Sequence, residues 1–81
     1  QNYPNPFNTN TTIEYSLNEP GRTTLDIYNI SGQKLETLID SYMPSGKHKV
    51  DWNANRYPSG VYFYKLDNGN KRESKKMILV K

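Results

Sequence analysis

The sequence predicts an all-β fold, a small antiparallel Ig-like β-sandwich of six to seven strands, and three observations carry that prediction. Segments alternating between apolar and polar residues recur at intervals of roughly 10–12 residues. Pro/Gly turns separate them, and no window holds an uninterrupted helical period except Gln33–Ile39, whose pattern also suits a short helix. With 81 residues and 33% hydrophobic content, the chain supplies one small core and no second domain.

The elements follow in order. Residues 1–10 hold Pro4, Pro6 and four asparagines without periodicity, so they read as an extended lead-in packed on a domain spanning 11–81. Proline biases Tyr3 and Asn5 away from helix, which lets the rings of Tyr3 and Phe7 lie against a surface. Thr11–Leu17 places Ile13, Tyr15 and Leu17 on one face, the period of a half-buried strand. After the turn at Asn18-Glu19-Pro20-Gly21, Arg22–Tyr28 repeats the pattern with Leu25 and Ile27 inward. Leu35, Leu38 and Ile39 cannot share one face of a regular strand, which predicts a bulge or a second buried side.

Past Met43-Pro44-Ser45-Gly46, the segment Lys47–Asn53 turns His48, Val50 and Trp52 one way and Lys47, Lys49 and Asp51 the other. A loop over Asn55–Gly60 leads to Val61–Leu66, with Tyr62, Tyr64 and Leu66 inward. Asp67-Asn68-Gly69-Asn70 contains the Asn-Gly pair of a tight hairpin, and Lys71–Val80 is the last strand.

Charge is unevenly spread. Residues 65–81 carry six cationic side chains against Asp67 and Glu73, a net +4, whereas the first 64 residues carry −1. A basic tail beside a near-neutral body fits either an acidic partner or a soluble edge strand. No run is long enough for a membrane span, so no membrane insertion is expected. A start at Gln1, without a charged-then-apolar leader, reads as a C-terminal or internal piece of a longer polypeptide.

Catalytic signals are weak. There is no cysteine, and His48 is the single imidazole, so neither a thiolate metal site nor a Ser-His-acid arrangement has its parts. His48 shares a face with Val50 and Trp52 and reads as a packed, hydrogen-bonded core histidine. The carboxylates are scattered and each glycine stands alone in a turn, which argues against an enzyme, a metal and a phosphate loop. Tyr62-Phe63-Tyr64-Lys65 followed by Lys71-Arg72 is compatible with a base-stacking platform, but a sandwich core and an edge account for it equally, and no nucleic acid is expected.

Assembled in order, these residues resemble the type A C-terminal sorting domain of the type IX secretion system. The resemblance runs through Tyr3-Pro4-Asn5-Pro6-Phe7-Asn8, Thr11-Thr12-Ile13, Tyr15 and Leu17, Leu25, Ile27-Tyr28-Asn29-Ile30, Gly32-Gln33 and Leu35. It continues through Pro44-Ser45-Gly46, His48, Val50, Trp52 and Pro58-Ser59-Gly60-Val61-Tyr62-Phe63-Tyr64-Lys65-Leu66, and ends on Lys75-Lys76-Met77-Ile78-Leu79-Val80-Lys81. Thr9 and Asn10 depart from the proline and serine usual in the family.

The resemblance implies a non-catalytic export signal, without cofactor, that directs a covalently fused N-terminal cargo through the periplasm of a Gram-negative bacterium to the outer surface or medium. It implies recognition by the type IX translocon and an outer-membrane β-barrel shuttle protein. It also implies removal by a sortase-like cysteine protease that joins cargo to lipopolysaccharide. The family's G-x-Y segment falls on Gly60 and Tyr62, and its lysine-containing final strand on Lys75, Lys76 and Lys81.

Structural roles for the same residues stay open: Gly60 starting a strand, Tyr62 filling core, the lysines solubilising an edge. Two other functions are compatible with the pattern. One is an Ig-like adhesion or carbohydrate-binding module using Tyr3, Tyr42, Tyr57 or Phe63 against sugar rings. The other is a structural Ig-like domain similar to that of flagellar hook-capping proteins.

Overall fold

The computed structural model describes all 81 residues. Its strands are β1 (Asn2–Tyr3), β2 (Asn10–Leu17), β3 (Gly21–Asn29), β4 (Lys34–Met43), β5 (Gly46–Asn53), β6 (Gly60–Asp67) and β7 (Arg72–Leu79). They form two antiparallel sheets in the orders β1-β2-β5 and β4-β3-β6-β7. The chain crosses between sheets from β2 to β3, from β4 to β5 and from β5 to β6, which makes the arrangement a sandwich rather than a meander.

The inward residues meet as the alternation requires. Ile13, Tyr15, Leu17 and Trp52 of the three-stranded sheet form one buried cluster with Leu25, Ile27, Tyr62, Tyr64, Leu66, Met77 and Leu79 of the other. Burying side chains of this size stabilises by about 1.5–3 kcal/mol each before conformational entropy is charged against it. Trp52 is the hub: its ring centroid lies 5.7 Å from Phe7, 5.8 Å from Tyr57 and 5.6 Å from Tyr62. Its indole N–H donates across the sandwich to Glu36 at 3.0 Å, so the largest core residue also pins the two sheets together.

Gln33–Ile39 forms no helix. Lys34–Met43 is strand, with register shifts opposite Leu25/Asp26 and Ile27/Tyr28. The pairing skips Leu35 and Leu38, and these bulges let Leu35, Leu38 and Ile39 all pack against the core.

One expectation needs correction. His48 is half-buried rather than a core residue, stacked on Tyr15 at 5.3 Å with its Nε2 2.8 Å from the Pro44 carbonyl oxygen. The cause is that β5 is the outer strand of the narrower sheet, so of its inward residues only Trp52 reaches full burial. The Asn-Gly pair falls in a tight β6–β7 hairpin as expected: strand pairing ends at Asp67 and Arg72, the Asn68 N–H donates to the Lys71 carbonyl at 3.1 Å between them, and Gly69 alone has positive φ. Side chains add to that backbone bond, with Asp67 Oδ1 accepting the Gly69 N–H at 2.8 Å and Asn68 Oδ1 accepting the Lys71 N–H at 2.9 Å.

The first ten residues are woven into both sheets. Asn2 and Tyr3 pair with Ile13 and Thr12. The peptide bonds before Pro4 and Pro6 are cis, and the chain then crosses to the other sheet, where Phe7 is 2% exposed within the core and bridges in parallel to Leu79. Tyr3 stays at the surface, its hydroxyl donating to Glu14 at 3.2 Å.

Candidate functional site

β7 pairs only with β6, which makes it the outer strand of the four-stranded sheet. An outer strand presents a row of N–H and C=O groups on its free side. In β7 the two halves of that row differ. Toward the C-terminus the Asn5 side-chain amide acts as a surrogate peptide group, Oδ1 accepting the Ile78 N–H at 2.9 Å and Nδ2 donating to the Lys76 carbonyl at 3.3 Å. Phe7 continues the row, its N–H donating to the Ile78 carbonyl at 2.9 Å and its carbonyl accepting the Val80 N–H at 2.8 Å.

Alternation turns the N–H and C=O of Ser74 to the same free side as those of Ile78, two turns of the pleat away. No backbone or side-chain group of the chain bonds them across that edge. The strap formed by residues 4–8 therefore closes the end of the edge and leaves its beginning open.

The lysines expected to carry recognition lie on opposite sides of this strand. Lys75 stands opposite Tyr64, on the face shared with Met77, whereas Lys76 stands opposite Phe63 on the outer face. Both are exposed. The ion pairs of the molecule involve Arg22, Lys34, Arg56 and Arg72, so neither Lys75 nor Lys76 is neutralised by a carboxylate.

Gly60, Tyr62 and Lys81 meet at one end of the sandwich. Gly60 opens β6 opposite Leu79 with φ +157°, and a Cβ there would meet nothing within 4 Å, so backbone conformation rather than space favours glycine. Tyr62 is 5% exposed and fills core, while its hydroxyl donates to the Pro58 carbonyl at 2.7 Å. Lys81 ties the chain end to the same loop: its N–H donates to Ser59 Oγ at 3.0 Å and its ammonium group to the Asn55 carbonyl. The G-x-Y segment and Lys81 thus form one knot, and Lys75 and Lys76 sit apart from it along the strand.

Burial raises the phenols of Tyr15, Tyr62 and Tyr64 above their usual pKa, and that of Tyr64 is pushed up to about 12 by burial first and by the Glu73 carboxylate second. The Tyr15 and Tyr64 hydroxyls have no hydrogen-bond partner. No group of three His, Asp or Glu side chains is arranged to hold a metal ion. Two rings of the would-be base-stacking stretch, Tyr62 and Tyr64, point into the core, which removes them from any stacking surface.

Over residues 1–81 the sequence matches the family described as the secretion system C-terminal sorting domain. The chain belongs to that family. It is a sorting tail of the type IX secretion system, a class of domain that marks proteins for export across the outer membrane. Among solved structures, one described as PorZ, an essential bacterial surface component of the type-IX secretion system of Porphyromonas gingivalis, is similar over 100% of the chain with a TM-score of 0.71. The two are 22% identical, the chain spans 11% of that protein, and the likeness is one of fold. No curated protein matches the sequence.

Sequence reasoning singled out Lys75, Lys76 and Lys81 for their charge and the resemblance, but missed Asn5 and Phe7 as the residues that close half of the β7 edge. The signal was present in Asn5-Pro6-Phe7, whose prolines announce an extended segment without saying which strand it covers.

Proposed function

We propose that this sorting domain delivers a fused N-terminal cargo through the type IX translocon by displaying the exposed part of β7 to the export machinery. The observation that carries the proposal is the free pair of ammonium groups at Lys75 and Lys76 on an outer strand. Desolvating a lysine is costly unless an acidic group receives it, so a partner with carboxylates is favoured over an apolar one. An outer-membrane β-barrel shuttle and the translocon fill that role.

Tyr62 is too buried for a partner to reach, and it acts by holding the Pro58–Gly60 loop against the chain end. Gly60 and Lys81 shape the same knot. Removal by a sortase-like cysteine protease then takes place upstream of the folded body. The aromatic residues that a carbohydrate-binding role would use stand on separate elements, Tyr3 on β1, Tyr42 on β4 and Phe63 on β6, with Tyr57 packed on Trp52.

The test is a periplasmic reporter carrying the 81-residue chain at its C-terminus, expressed in otherwise identical strains with and without a working type IX system. Surface delivery restricted to the competent strain is expected. Periplasmic retention in both strains, with the domain folded, would refute the proposal.

A further inference from the structure

The seam between the sheets is closed at one end by the strap and open at the other. At the open end the facing borders of β2 and β7 enclose a groove of about 520 Å³, lined among others by Ser16, His48, Lys71, Glu73 and Lys75. Both walls offer backbone. Glu14 exchanges hydrogen bonds with Gln1 through its N–H (2.8 Å) and carbonyl (3.0 Å), so two residues on, Ser16 turns the same groups toward the groove. The Ser16 carbonyl is met only by the Lys71 ammonium group, at 2.9 Å, which bridges the mouth. On the β7 side the groove is lined by Lys71, Glu73 and Lys75, and beside it, on the free border of the same strand, run the N–H and C=O of Ser74 and the N–H of Lys76, which nothing in the chain bonds.

Charge narrows the occupant. Lys47, Lys49, Lys71 and Lys75 line the groove against Glu14 and Glu73, a positive excess. Tyr15, which also lines it, is 4% exposed and its hydroxyl lacks a partner. An added strand has a precedent within the molecule, because the strap pairs with the same border of β7 a few residues further on.

We propose that this groove is a docking slot for an extended, carboxylate-bearing peptide segment of a partner protein, which adds to the open half of the β7 edge. Main-chain bonds to Ser74 and Lys76 supply the pairing, and the lysines select carboxylates over cationic sequences. Entry displaces the Lys71 ammonium group from Ser16, so the bridge becomes a contact to the ligand. The proposal deepens the reading of β7 as the displayed strand, and its test does not depend on export.

The probe is an acetylated, amidated hexapeptide alternating glutamate and valine, titrated into the ¹⁵N-labelled 81-residue chain. Two controls accompany it: the lysine-valine counterpart, and the acidic peptide N-methylated at alternate residues so that it cannot pair as a strand. The slot predicts shifts at the Ser74 and Lys76 amides, slowing of Ser74 exchange by at least about tenfold, and binding weakened by a similar factor in Lys71→Glu/Lys75→Glu with core resonances unchanged.

Absence of these shifts, or equal shifts with the N-methylated control, would overturn the slot. So would protection of Ser16 and Ser74 by the longer parent polypeptide alone, because the protein's own chain would then be the occupant. A failed titration alongside normal export of the fusion would leave β7 recognised through its side chains only.

Discussion

The two halves of one strand edge have opposite fates in this domain. Around Ile78 the free side of β7 is sealed by the Asn5 amide and the Phe7 backbone, and around Ser74 the same row of groups faces solvent beside unpaired lysines. Bare edges invite aggregation, and natural sheets blunt them with charge or with covering segments. Both devices occur here, each over its own half of β7. The difference teaches that one edge can be managed in two ways: the sealed half by a covering segment that completes its hydrogen bonds, the other half by charge that keeps it in water.

The largest expected effect comes from removing the seal. Phe7→Ala takes a 2% exposed ring from beside Trp52 and should cost about 3–4 kcal/mol, read by urea denaturation. Hydrogen exchange at Ile78 and Val80 should accelerate together, and size-exclusion chromatography should show self-association. A stable monomer would mean that the strap is not what guards this edge.

Alkaline pH acts on the interior shared by both halves. Burial pushes the Tyr64 phenol up to about 12 in the folded chain, above the usual phenol range near 10, so the native state favours the neutral form. That stability is complete below about pH 10 and is lost as pH rises toward the folded pKa, with a full effect of roughly 2–3 kcal/mol. Tyr15 and Tyr62, raised in the same direction, steepen the decline. Denaturant midpoints flat from pH 10 to 12 would contradict this burial-based account.

Asn5→Ala is a milder version of strap removal. It withdraws two hydrogen bonds at the surface and should cost about 1–2 kcal/mol. Its sharper readout is local: Ile78 exchange should approach the rate of Ser74, making the two halves alike. Smallest of all is Tyr64→Phe, which deletes a buried hydroxyl with no partner and should leave stability unchanged or raise it by up to about 1 kcal/mol in thermal unfolding.

Much of the fold was legible because period-2 alternation survives tertiary packing. Ile13, Tyr15 and Leu17, Leu25 and Ile27, and Tyr62, Tyr64 and Leu66 all face the core as their spacing requires. The bulged strand was legible too, since Leu35, Leu38 and Ile39 could not share a regular face. His48 was misjudged because its face is apolar in sequence, yet exposure depends on β5 lying at the margin of a three-stranded sheet, a fact of topology rather than pattern. The closing of β7 by Asn5 is a contact across 73 residues between an amide and a backbone, and no local period encodes it. Lys75 and Lys76 were visible as charge, but their placement on opposite faces follows only once the register with Tyr64 and Phe63 is known.

The most direct test of display through the charged half is reporter export with Lys75→Glu/Lys76→Glu, a change expected to leave folding nearly intact because both side chains are exposed and unpaired. The account predicts a folded fusion retained in the periplasm, with the Ile78 amide still protected. Surface delivery equal to that of the unaltered chain would contradict it.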